Sequence, residues 1–166
     1  MRRLFLQAAL LALASTGHAL AEDVAEPSAV TETPSLVAPA EPFPGPKPVL
    51  GDDLQWAGPP DLPALKAAWM LGGEKDAGPY VLRVRLAAGG RVGVHTHPED
   101  RVTSVLSGTL YVGFGTVFDE TRVQAVPAGA IYLAPADQAH YVWARDGDVE
   151  YQENGFGPTA TDFNPR

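Results

Sequence analysis

The feature that most restricts how this chain folds is its punctuation. Gly72-Gly73, Gly78-Pro79, Ser107-Gly108, Pro127-Ala128-Gly129 and Asp146-Gly147 cut the sequence into short apolar runs, with turn signals at spacings of roughly ten residues. A run of that length completes a strand, but it is too short for a helix that stands on its own propensity. Alternation supports the strand reading. In residues 80–86, Leu82, Val84 and Leu86 share one face, while Val81, Arg83 and Arg85 share the other. Further strands are predicted at residues 101–106, 109–114, 122–126, 130–133, 140–144 and 149–152. Residues 62–71 (LPALKAAWML) fit either a short helix or an apolar strand. The 17 glycines and 16 prolines agree with many turns and disfavour a helical bundle. The expected class is all-β, a sandwich or barrel.

The N-terminal part has a different character. Met1, Arg2 and Arg3 open a positive stretch, residues 4–14 are apolar, and Ala19-Leu20-Ala21 has the small-x-small form of a cleavage site. Residues 1–21 therefore read as an export signal, with Glu22 as the expected mature start. The apolar run falls short of the roughly 20 residues that cross a bilayer. A periplasmic or secreted product is expected, with no stable membrane insertion after signal cleavage. Residues 22–48 carry Pro27, Pro34, Pro39, Pro42, Pro44, Pro46 and Pro48 and few large apolar side chains. They read as a disordered or semi-rigid Pro-rich linker, which leaves residues 49–166 for the barrel domain. The formal net charge of −8 argues against nucleic-acid partners. The absence of cysteine removes disulfides, thiolate zinc sites and a cysteine nucleophile.

Four histidines remain as the candidate chemistry, and His18 falls in the signal segment. His95 and His97 lie two apart, so on an extended segment both point to one face. His140, from a distant strand, supplies a third imidazole for a metal shell. The surroundings of these residues are specific. Gly89 precedes His95 by six positions, Arg101 and Gly108 follow His97, and Gly129, Pro135 and Asp137 lead into His140 and Ala144. In this spacing the segment 89–144 resembles the two sequence motifs of the cupin superfamily, and the whole domain resembles a small single-domain cupin. The resemblance implies a double-stranded β-helix, or jelly-roll barrel, with a divalent metal held by His95, His97 and His140.

Three positions depart from the cupin pattern. Asp137 stands in place of a turn glycine, a mild change because Asp tolerates left-handed backbone. Ala144 stands in place of an asparagine. Arg101 occupies the position of the family's glutamate ligand, and a guanidinium cannot ligate a cation. Either Glu99 or Asp100 supplies a carboxylate as a fourth ligand, with Glu99 the first choice, or the site has three histidines and Arg101 pairs with an acid or grips an anionic ligand. Zinc, iron, manganese, nickel and copper all suit such ligands. Gln152 is either a polar donor behind the site or an exposed strand residue. Tyr111, Phe114, Tyr132, Tyr141 and Trp143 are candidate pocket walls, while Arg83 and Arg85 read as solvated.

Two functions follow from the resemblance. One is a small metalloenzyme, an oxygenase or an isomerase or lyase, acting on an organic acid, sugar acid or phenolic compound. The other is a non-catalytic ligand- or metal-binding module tethered by its N-terminal arm. A small-molecule ligand is expected in both, with a homodimer through the barrel edges as a further expectation.

Overall fold

The computed structural model describes Gly45 and residues 47–163. The export signal and most of the Pro-rich segment lie outside the described residues. Among the described residues, a single 3-10 turn, Gly51–Asp53, precedes nine strands: β1 (Leu65–Leu71), β2 (Gly78–Leu86), β3 (Arg91–His95), β4 (Arg101–Ser107), β5 (Thr109–Phe114), β6 (Gln124–Pro127), β7 (Ile131–Ala134), β8 (His140–Trp143) and β9 (Val149–Gly157). Five strands form one sheet in the order β1-β2-β9-β4-β7, and four form the other in the order β3-β8-β5-β6. Every named pair within the sheets is antiparallel. The fold is an all-β, cupin-like barrel.

Residues 62–71 resolve as strand. Leu65, Ala67 and Trp69 line the cavity described below, and β1 pairs along β2 from Leu65↔Leu86 to Trp69↔Leu82 before the register shifts. A partner edge settles what periodicity left open, because ladder hydrogen bonds are available only to extended backbone. Strand β3 was not among the predicted elements. Its sequence, RVGVH, interrupts the apolar pattern with glycine, and pairing to β8 through Val92↔Val142 and His95↔His140 defines it. Strand β9 runs well past residue 152, because β2 pairs with it as far as Gly78↔Gly157.

The inner faces of both sheets meet in a core that includes Val84, Leu86, Val105, Leu110, Val112, Val142, Val149 and Tyr151. Burial of each such side chain contributes about 1.5–3 kcal/mol before entropy is counted. The turn from β4 to β5 shows why one motif glycine is required. Gly108 has φ +74°, and a Cβ there would run into the carbonyl oxygen of Asp148. Asp137, standing where the family has glycine, has φ +58°, so it keeps the left-handed turn. Its N–H donates to the His97 carbonyl at 2.8 Å, which joins the loop before β8 to the segment after β3.

Strand β7 forms an edge of its sheet. Val102 and Leu133 are register partners in β4 and β7; both are exposed, as are Leu106 and Ile131. No helix among the described residues is long and apolar enough to cross a membrane.

Candidate metal centre

The three histidines converge because two strand ends lie side by side. His95 closes β3 and faces His140, the first residue of β8, in register. His97 follows two residues later and returns to the same side. The ring centroids of His95 lie 4.2 Å from His140 and 4.8 Å from His97. All three side chains are buried, and one potential ligand atom from each lies within 4.8 Å of the others.

The ring orientations are set by backbone carbonyls. His95 Nδ1 lies 2.7 Å from the Gly93 carbonyl, His97 Nδ1 2.8 Å from that of Ala160, and His140 Nδ1 2.9 Å from that of Gln138. A carbonyl only accepts, so each Nδ1 carries the proton and donates it. Each Nε2 then keeps its lone pair, which is the tautomer a metal requires. His97 Nε2 is buried with no hydrogen-bond partner, a costly state for a polar atom that nothing ligates. Burial holds the imidazoles neutral. It lowers His95 to about 4, with His140 adding to the effect, and lowers His97 to about 2, with Arg101 adding. His140 moves in the same direction for the same reason. Three neutral imidazoles with oriented lone pairs fit a divalent transition metal.

Arg101 enters this centre from the first position of β4 and is itself buried. Its Nε donates to Glu99 Oε1 at 2.7 Å, Nη1 to Glu153 Oε2 at 2.6 Å and Nη2 to Thr159 Oγ1 at 2.6 Å. Glu99 Oε1 also accepts from Tyr80 Oη at 2.6 Å and from Thr159 Oγ1 at 2.7 Å. Glu99 is therefore bound to the arginine, and the described ligand cluster comprises the three histidines without it. Burial pushes the Glu153 carboxyl up against the opposing pull of Arg101. The same pairing holds Arg101 above its ordinary range.

Gln152 lies elsewhere. Residues 149, 151 and 153 of β9 point inward, so Gln152 points outward, where its Oε1 accepts from Arg83 Nη2 at 3.0 Å. It has no contact with the histidines through these bonds. Arg83 and Arg85 both pair with Glu150 on that outer face, Arg85 half exposed and Arg83 largely covered.

Among the candidate aromatics, Tyr132 lines the cavity, and both Phe114 and Tyr132 lie within 6.5 Å of the His140 ring, centroid to centroid. The others face away. Tyr141 packs on Phe118, Trp143 takes Arg91 over its ring, and Tyr111 bonds Asp146. The period of two explains this division: with His140 inward, Val142 is inward and Tyr141 and Trp143 are outward.

The cavity beside the histidines has a volume of about 420 Å³ and is walled by Trp69, Leu82, Val84, Tyr132, Tyr151 and Glu153 among others. Sequence reasoning missed Trp69, Tyr151, Glu153 and Thr159. Glu153 and Tyr151 were recoverable, because they continue the inward phase of Val149. Thr159 and the carbonyl of Ala160 lie beyond the last strand, and no pattern marks them.

No family model matches the sequence, and no curated protein matches it. Solved structures match by fold. The polyketide cyclase RemF from Streptomyces resistomycificus aligns with a TM-score of 0.59 and 13% identity, over 70% of this chain and 83% of that one. The DMSP lyase DddQ from Ruegeria pomeroyi aligns with a TM-score of 0.56 and 16% identity, over 68% and 62%. An RmlC-like cupin from Shewanella frigidimarina aligns with a TM-score of 0.53 and 17% identity, over 70% and 91%. At these identities the likeness is one of fold, and the fold is that of cupin-type barrels.

The buried neutral histidines make the metal-free protein acid-sensitive. Their folded pKa values lie below the value near 6.5 of an exposed imidazole, so their contribution is complete above about pH 6.5 and is lost as pH falls toward 4. A shift of the size seen for His95 corresponds to roughly 3 kcal/mol. Thermal melts of metal-free protein are expected to show a midpoint that falls steadily between about pH 6.5 and 4. A flat midpoint over that window contradicts the assignment.

Proposed function

We propose that this protein is an exported, metal-binding member of the cupin superfamily that binds a small organic molecule at a transition metal. His95, His97 and His140 hold the metal through Nε2. The observation that carries this reading is the set of three Nδ1–H bonds to backbone carbonyls, which leaves an orphaned Nε2 on His97 buried among its neighbours. Bound there, the metal supplies Lewis-acid chemistry, or oxygen activation where it is redox-active. Zinc, iron, manganese, nickel and copper all suit three imidazoles.

The chain's own residues do the rest. Apolar side chains wall much of the cavity, and the backbone carbonyls of Gly93 in β3, Gln138 before β8 and Ala160 beyond β9 fix the imidazole rings. Arg101 holds Glu99 and Glu153 in place beside the cavity. The candidate ligand is an organic acid, a sugar acid or a phenolic compound. An enzymatic role, as an oxygenase or as an isomerase or lyase, draws support from the cyclase and the lyase that share the fold.

Export rests on residues 1–21, with residues 22–48 as a spacer to the barrel. A homodimer draws support from the exposed apolar outer face of Val102, Leu106, Ile131 and Leu133.

Natively purified protein is expected to carry about one transition metal per chain by elemental analysis. His95→Ala combined with His97→Ala is expected to abolish it while circular dichroism keeps its β signature. Metal-free native protein after purification in metal-supplemented medium would falsify the reading. N-terminal sequencing of protein from the extracellular or periplasmic fraction should begin at Glu22, and retention of Met1 in the cytosol removes the export part. Light scattering is expected to give twice the chain mass, with Leu133→Glu returning a monomer; a wild-type monomer removes the dimer.

A further inference from the structure

We propose that the cavity beside the centre takes a ligand with an uncharged, largely apolar body, and that it disfavours sugar acids and dicarboxylates. The inference narrows the ligand class of the preceding reading and rests on it.

Charge is the first argument. Any carboxylate that is not on the metal needs a cation inside the cavity, and among the described residues that line it Arg101 is the only lysine or arginine. That guanidinium is already committed. Its side chain is 5% exposed, and Nε, Nη1 and Nη2 each donate to a protein acceptor, two of them carboxylates. With Glu153 ionised, the group Glu99–Arg101–Glu153 carries one negative charge; with Glu153 protonated it carries none. In neither state does it attract an anion, and Glu74 adds a further acid to the cavity lining. A free acid group on the ligand would meet carboxylates rather than a partner.

The walls supply the second argument. Leu82, Val84, Val92 and Val142 line the cavity beside the histidines and offer no side-chain hydrogen bonds. A polyhydroxylated ligand would find no partners along that wall and only a few elsewhere on the lining, at Tyr132, Tyr151 and Thr161, whereas an apolar body covers it fully. A third argument comes from two partly exposed aromatic rings on the same cavity. Trp69 is 38% exposed, and Phe163 is 55% exposed with its ring 5.6 Å from that of His95. Partly exposed aromatic surface is what a flat apolar body covers on binding.

The test uses zinc-loaded protein whose metal content is measured first, titrated calorimetrically at neutral pH with naphthol, gluconate and succinate. Naphthol is expected to bind at least about tenfold more tightly than either acid. Trp69→Ala is expected to weaken naphthol about fivefold with zinc content unchanged. Glu153→Gln removes one of the two charges facing Arg101 and should strengthen succinate about fivefold. Should that variant fail to fold, the Trp69 variant and the three wild-type titrations decide. Gluconate or succinate binding as tightly as naphthol overturns the inference, as does absence of naphthol binding to protein that holds its zinc. A chain that takes up no zinc overturns the metal reading instead, and the two failures are read on separate instruments.

Discussion

The ion cluster around Arg101 ties together more of this molecule than any other contact. One guanidinium, buried at the start of β4, joins Glu99 from the loop after His97, Glu153 from the inner face of β9 and Thr159 from the segment beyond it. Tyr80 of β2 closes the cluster through Glu99. Removing one partner of such a buried set leaves charges without compensation, a loss of about 3–5 kcal/mol. The cluster also has a geometric consequence. By holding Thr159 it fixes the segment whose next residue, Ala160, offers its carbonyl to His97 Nδ1. The arginine therefore acts on the three-histidine cluster from one layer away, through a backbone carbonyl.

This arrangement explains how three oriented imidazoles persist beside a buried arginine. The positive charge does not face the metal site alone, because two carboxylates face it. The carboxylates in turn are held by the arginine, so beside the cavity the histidines present neutral nitrogen donors among largely apolar walls. The outer faces of the sheets follow a simpler rule. There Arg83, Arg85 and Glu150 pair across β2 and β9, and Arg91 lies over Trp143, contacts that cover strands without shaping the cavity.

Much of the barrel was legible in the sequence where local alternation and turn chemistry agreed. Residues 80–86 alternate cleanly after Gly78-Pro79, residues 109–114 form an apolar run after Gly108, and both are strands with close to the expected limits. Strand β3 was not legible, because RVGVH has two apolar residues and owes its existence to β8. The aromatic walls were misread for a related reason. Tyr141 and Trp143 are large and apolar, but the inward placement of His140 dictates the phase of their strand and turns them outward.

Taken alone, the sequence determined the turns, most of the strands and the identity of the three imidazoles. Each depends on residues near one another in the chain: a glycine at a left-handed φ, a period of two, a His-x-His on extended backbone. It also excluded sulfur ligands outright. Tertiary structure decided what Arg101 does, which carboxylate stands near it and which carbonyl orients each ring. Glu153 and Thr159 meet Arg101 across separations of 52 and 58 residues, and no local pattern encodes a meeting at that distance. Only the closed barrel, with β9 between β2 and β4, brings those groups into one buried space where a charge must find its partner.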